Sequence, residues 1–429
     1  MDTSLIEGRR FLVCHSIVHD LIGSTVVTLD LTTFLKDAGG EVLVYATFVG
    51  DPAMSLFADR GIEVVDDAGI EGRSLAEFDV VWVHSQVLPE KMVDELLEPL
   101  PDSLPSFVFL HMSSIHYAPD EHPYIHRLEE RLSSLSLFIS PATRRVLLPY
   151  FDTPPPTAIY PNPTPAEFAR ETYTPRDAPE RVVVVSNHAD TDLMEAKRLL
   201  ADRGLDVRHI GRTGDEQTLV TPEVLADADV VITIGKTAQY CLVAGRPVYV
   251  YDHFGGYGYL DDDNLSHAQD WNYSGRFGEK RSAKQIADEL VVGFGDAVTF
   301  HASRREEFVE TYSIDRVVPH VLAAVEDRQI EPFEQSYHHA VRSAQAFGAR
   351  FFHFWGHNAN EVRNRDRLTS ELADRDRRLD QAGVDANALR AEIERIQGSW
   401  TFRVGRLVVR PASALVRWLT WPLRRLRAR

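Results

Sequence analysis

The chain has 429 residues, 44% apolar and 26% charged, with a formal net charge of −18. That length suits two to three domains with real cores, and only Cys14 and Cys241 occur, which excludes a disulfide framework and points to a reducing compartment. The charge is uneven: residues 399–429 carry eight arginines and no acid, leaving 38 bases against 64 acids, or −26, on the rest. A body so acidic argues against nucleic acid as a partner. The start "MDTSLIEGRRFLVCHS" lacks the apolar core of a signal peptide, and no uncharged apolar run reaches the ~18 residues of a membrane span.

From residue 8 to 160, short apolar runs ("RFLVCHS", "EVLVYAT", "FDVVWVHS", "SFVFLHM", "LFIS") alternate with helical patterns such as "STVVTLDLTTFLKDAGG" and a helix near 122–135. Strands separated by 10 to 15 residues of helix predict a parallel, doubly wound sheet. Nine of the 23 prolines fall between 149 and 180, and 161–180 is the expected hinge. The alternation then restarts over 181–325: "RVVVVSN", "DVRHIG", "DVVITI" and "PVYVYD" read as strands of a second Rossmann-like domain. Ligands of such α/β folds sit beyond the carboxyl ends of the strands.

Within that second domain, Gly235-Lys236-Thr237 follows an apolar strand directly. A hydrolase phosphate loop needs a glycine five residues before this Gly-Lys-Thr; that position is Val230. What remains is a one-glycine turn into a helix, whose first N–H groups and dipole attract anions.

Residues 326–357 are rich in aromatics and predict a helix packed on the body. Over 358–398 Leu372, Leu379, Ala386 and Ile393 recur every seven residues. Leu368, Arg375, Ala382, Leu389 and Ile396 do so at an offset of four, which predicts a coiled coil or a helical hairpin, the coiled coil pairing copies of the chain. The tail, 399–429, is basic and amphipathic, with Leu415, Trp418, Leu419, Leu423 and Leu426 on one helical face. It predicts peripheral attachment to an anionic membrane surface, with packing on a partner protein as the other reading.

Two Rossmann-like domains across a proline-rich hinge resemble the GT-B glycosyltransferases. The resemblance is carried by "YPNPTPAEF", by the strands ending at His84 and His111, and by "AGRPVYVYD". "VVVVSNHADTDLMEAKRLLADRGLDVRHIG", "VVITIGKTAQYCLVAGRPVYVYDHFGGYGYL" and "WNYSGR" are similar to family-4-like bacterial proteins of envelope polysaccharide synthesis. The ending "SWTFRVGR…WPLRRL" is similar to the closing motif of many such enzymes.

The resemblance implies a metal-independent hexosyltransferase with no cofactor beyond its nucleotide-diphosphate sugar substrate, a glycan acceptor that is lipid-linked, and a cytoplasmic place at the inner membrane face. It assigns the donor to the second domain, and the residues there suit a diphosphate: the N–H groups of Lys236, Thr237 and Ala238 after Gly235, the Lys236 ammonium, Arg212, and Gly255 and Gly256 as a closely approaching segment. Asp252 is the expected ribose ligand. The two glutamates that the family places eight apart are here Ile232 and Tyr240. The acceptor side takes Gly23, Ser24 and His84, with His111 as the catalytic imidazole. No metal-ligand spacing stands out among the histidines. A GT-B nucleotide-sugar epimerase and a non-catalytic GT-B scaffold of a polysaccharide complex are the competing readings.

Overall fold

The computed structural model describes residues 4–84, 87–97, 100, 103–118, 121–170, 173–212 and 214–400. Its first sheet has seven strands: β1 (Arg10–Val18), β2 (Glu41–Val49), β3 (Glu63–Val65), β4 (Val80–His84), β5 (Ser106–His111), β6 (Ser133–Phe138) and β7 (Thr157–Ile159). They lie in the order β3-β2-β1-β4-β5-β6-β7 and pair in parallel throughout. The second sheet, β8 (Arg181–Val185), β9 (Asp206–Ile210), β10 (Val230–Thr233), β11 (Val248–Asp252) and β12 (Gly255–Tyr259), is ordered β12-β11-β10-β8-β9. It is parallel except for β12, which turns back antiparallel to β11.

The strands read as continuous apolar runs because each sheet is covered on both faces. Successive residues of β1 feed opposite cores: Phe11 and Val13 enter one cluster, Leu12 and Cys14 the other. In β10, Val231 packs on one side and Val230 and Ile232 on the other. A one-residue slip would exchange both sets, so the register is strongly specified.

The chain recrosses the hinge after the second domain. The Ile314–Ala323 helix places Ile314, Val318, Val321 and Leu322 in the core of the first domain, against Val27 and Leu31 of the Gly23–Asp37 helix. Thr164 of the hinge holds its start, donating N–H to Tyr312 O (2.6 Å) and accepting from Ile314 N (2.9 Å). The second domain therefore ends before residue 325, and its last helix belongs by packing to the first.

A long helix follows, Gln335–Gly398. Up to His357 it belongs to the main body, where Val341 and Phe352 are buried against first-domain residues. From Asn358 the chain forms a separate unit. There the expected seam residues Leu372, Leu379 and Ile393 are 60%, 62% and 52% exposed. The helix is as expected; the pairing of a coiled coil is not seen in a single chain. The basic amphipathic segment, from residue 401 on, lies outside the described residues.

Candidate functional site

Strand order reverses between β1 and β4 in the first sheet and between β8 and β10 in the second, and open α/β sheets bind ligands at such points, beyond the carboxyl ends of the strands. The loops that leave these ends meet one another. Arg212, after β9, reaches Asp20, after β1, with Nη2 to Oδ2 at 3.2 Å. Arg276 donates from Nη1 to Ser114 Oγ, after β5, at 3.1 Å. Outside these, Arg145 makes a two-pronged pair with Asp270 at 2.8 and 2.5 Å.

The Gly235 turn lies where its sequence placed it, at the start of the Lys236–Ala244 helix. Gly235 has φ +60°, a backbone that side chains resist, and a Cβ there would meet nothing within 4 Å. The Ala238 N–H is bonded to Gly235 O. Lys236, however, turns inward. Its Nζ is 2.9 Å from Asp30 Oδ2, donates to the carbonyls of Asn162 and Pro163, and lies 4.9 Å from the Tyr240 ring centre. Only 8% of the residue is exposed. Burial pulls the pKa of this amine down and Asp30 pushes it back up.

The ammonium is thus not presented to a phosphate, contrary to the expectation. It joins the second domain to the hinge and to the Gly23–Asp37 helix. Tyr240 serves the same junction. Its hydroxyl donates to Asp30 Oδ2 at 2.5 Å and its ring stacks on Phe168 at 4.2 Å. Burial first, then Asp30, holds the phenol pKa well above its ordinary value. The position where a ribose-binding glutamate was expected therefore faces the domain junction. Asn272 continues the contact, accepting from Asn162 Nδ2 (3.2 Å) and Gln239 Nε2 (2.8 Å).

Three other donor residues have structural employment. Asp252 is buried and accepts from Ser186 Oγ (2.9 Å) and the His253 N–H (2.8 Å), so it ties the β8 and β11 loops together and presents no exposed carboxylate to a ribose. Gly255 and Gly256 open β12, where a Cβ would lie 2.9 Å from Glu279 O and 1.9 Å from Val250 O respectively. Their missing side chains admit neighbouring backbone of the same domain, not a ligand. Thr237 is half-buried in the first helical turn, and Arg212 is bonded to Asp20 of the first domain.

On the first domain, Gly23 and Ser24 begin a helix whose N-cap, Ile22, offers no side-chain cap, and a Cβ on Gly23 would meet open space. His84 shares a 2.8 Å hydrogen bond between Nδ1 and Thr28 Oγ1; burial keeps the imidazole neutral, well below its ordinary pKa. Its Nε2 has no hydrogen-bond partner among the described residues. His111 corrects its expectation. It is 5% exposed, stacks on Phe138 at 4.8 Å, and faces buried Glu129 at 2.8 Å, a carboxylate that also accepts from Ser136 (2.5 Å). This imidazole is buried and engaged by Phe138 and Glu129.

Other residues of the strand-end loops carry no mark in the sequence: Arg276, His188, His253, Ser114 and Asp20. Arg276 closes the quoted "WNYSGR", but nothing in that spacing distinguishes a cleft cation from a surface one. Its guanidinium lies 4.7 Å from the Phe254 ring centre. The adjacent His253 ring is 5.3 Å from that of His188.

No protein-family model and no curated protein sequence matches the chain. Solved structures do. Anabaena Alr3699/HepE, crystallised with UDP-glucose, is 12% identical over 73% of this chain and 98% of its own, with TM-score 0.50. A glycosyltransferase from Rickettsia africae is 10% identical over 73% and 97%, TM-score 0.48. The lipopolysaccharide outer core galactosyltransferase WaaB is 9% identical over 74% and 99%, TM-score 0.45. Identities this low speak for the fold alone. Two parallel-dominated sheets, a proline-rich hinge and the Ile314–Ala323 helix that recrosses it thus give the chain the GT-B glycosyltransferase fold.

Proposed function

We propose that the chain transfers a sugar from a nucleotide-diphosphate donor to a glycan acceptor of the cell envelope, carried on a lipid. The observation behind this reading is the contact between the strand-end loops of the two domains, where Arg212 and Arg276 of the second domain reach Asp20 and Ser114 of the first. In such a transfer an acceptor hydroxyl attacks the anomeric carbon and the bond to the diphosphate breaks. Charge then grows on the departing nucleoside diphosphate. Fixed cations placed where that charge develops lower the barrier, and arginine suits phosphate by its planar fork of donors. The UDP-glucose complex of HepE supports a nucleotide sugar as donor class. The reading takes the transfer to be of a hexose and to need no metal.

The acceptor belongs with the first domain, at the uncapped Gly23–Ser24 helix start beside β1. The 358–398 helix would join two copies of the chain through its heptad seam, and the arginine-rich tail would hold the enzyme at the inner membrane face, near a lipid-linked glycan.

Incubation of the full chain with a panel of nucleotide sugars and a lipid-linked glycan extract tests the reading. Release of nucleoside diphosphate that depends on acceptor is the expected result. Epimerised sugar nucleotide without transfer would replace it with the epimerase reading, and no turnover together with no nucleotide binding would leave a scaffold.

A further inference from the structure

Between residues 345 and 357 the Gln335–Gly398 helix passes the carboxyl-end loops of the first sheet one after another. Gln345 Nε2 donates to Leu88 O, in the loop after β4. Phe347 and Phe352 meet Tyr124, after β5, with ring centres at 5.7 and 6.3 Å. Phe352 is buried with Val87 and with Ile17, near the end of β1. His353 and His357 then stand edge-on to Phe48, near the end of β2, at 6.3 and 4.9 Å. From its contact with Tyr124 at Gly348 to its contact with Phe48 at Gly356 the helix rises about 12 Å, at ~1.5 Å per residue. That is close to the roughly 14 Å from β5 to β2 across β4 and β1. The segment therefore lies across the strand ends at which an α/β sheet takes its ligands.

Two glycines fix it there. A Cβ on Gly348 would lie 3.3 Å from the Tyr124 ring, and one on Gly356 would lie 2.3 Å from Phe48 Cγ. Glycine inside a helix costs about 1 kcal/mol against alanine, and both positions use it for a closer approach than a side chain permits. The docking leaves His353 and His357 exposed, one turn apart, beside the Phe48 ring. Their Nε2 atoms share a hydrogen bond of 3.1 Å, so one ring donates to the other. Phe48 also adjoins the His19 ring at 5.5 Å, and the next residue, Asp20, receives Arg212 of the second domain. The histidine pair thus stands on the edge of the first domain where the second domain makes contact. Imidazoles that donate and accept, set against an aromatic ring, match the hydroxyls and the C–H face of a sugar.

We infer that His353 and His357 select the acceptor: the long helix carries them across the strand ends of the first domain, where they hydrogen-bond hydroxyls of the acceptor glycan. The inference rests on the glycosyl-transfer reading for the name of the ligand. It adds to the acceptor site a segment that lies outside both Rossmann-like domains. Neither histidine takes part in holding the donor or in the transfer step.

Modification of histidines by diethyl pyrocarbonate, read by mass spectrometry on the full chain, tests this without any substitution. A lipid-linked glycan extract is expected to slow modification of His353 and His357 relative to the other histidines, whereas a nucleotide sugar alone leaves their rates unchanged. In kinetics, His353→Ala and His357→Ala each lose a neutral hydrogen bond and are expected to raise the acceptor KM by about 3- to 10-fold, with affinity for the nucleotide sugar kept within about twofold. Gly356→Ala keeps both histidines but pushes the helix off Phe48, and is expected to raise the acceptor KM likewise. Circular dichroism confirms folding, and where a variant fails to fold the protection result decides. Turnover with neither histidine protected by acceptor, or folded histidine variants with an unchanged acceptor KM, overturns the inference while the transferase reading stands. Protection by the glycan extract without turnover of any nucleotide sugar upholds a glycan-binding surface on the helix and removes the transferase reading. Neither protection nor turnover overturns both.

Discussion

Asp30 decides how two residues from the second domain behave. In the sequence it sits inside "VVTLDLTTFL", one acid in an apolar helix, and Lys236 and Tyr240 lie 206 and 210 positions away. Helical periodicity shows that Asp30 shares a stripe with buried residues; it cannot show what crosses from another domain to meet it. That is why Lys236 read as a phosphate ligand. Removing one partner from a buried ion pair leaves the other charge unpaired, at a cost of roughly 3–5 kcal/mol. Asp30→Asn is therefore expected to lower the free energy of unfolding, measured by urea titration, by an amount near the lower end of that range, because the Asp30 side chain keeps 14% exposure. Lys236→Met, combined with it, is expected to recover part of the loss by removing the stranded ammonium. Equal destabilisation by the double and single variants would show that Asp30 supports something other than this pair.

Elements with strong apolar character were legible: β1, β2, β4, β5, β8, β10 and β11 all fall on runs visible in the sequence. Those that were missed or shortened have physical reasons. β6 begins at Ser133, ahead of the expected "LFIS", because Ser133 and Ser136 are buried strand residues whose hydroxyls bond each other and Glu129. The Gly255–Tyr259 strand carries three glycines, a composition that strands disfavour. It read as a ligand-approach loop, yet the glycines serve the hairpin with β11. The two kinds of glycine can be separated. Gly256→Ala drives a methyl to within 1.9 Å of a carbonyl oxygen that cannot move without breaking β11, and is expected to cost more than the ~1–3 kcal/mol of ordinary overpacking. Gly23→Ala meets nothing within 4 Å at a helix start and is expected to leave the melting temperature within a degree or two or to raise it. If both variants melt together, β12 is not where the second domain stores its stability.

At the scale of the molecule, the restart of the β/α alternation after the prolines disclosed two domains, and the architecture followed from it. The site was legible only as a place, beyond the strand ends; which cations would stand in it depends on loop geometry and on contacts between domains that no local pattern encodes. Charge distribution, by contrast, needs no coordinates. A body at −26 is repelled by an anionic leaflet, while eight arginines in the last 31 residues are attracted, each by roughly 1 kcal/mol where it reaches the surface. The attraction is short-ranged, decaying over a Debye length of about 8 Å at physiological salt, so the tail can bind while the body stays beyond reach of the repulsion. The full chain is accordingly expected to sediment with vesicles containing anionic lipid and to be released as salt rises, whereas a chain ending at residue 398 stays in the supernatant. Retention at high salt would assign the attachment to the Leu415–Leu426 apolar face instead of the arginines. Equal partitioning of the two chains would remove the tail from membrane binding altogether.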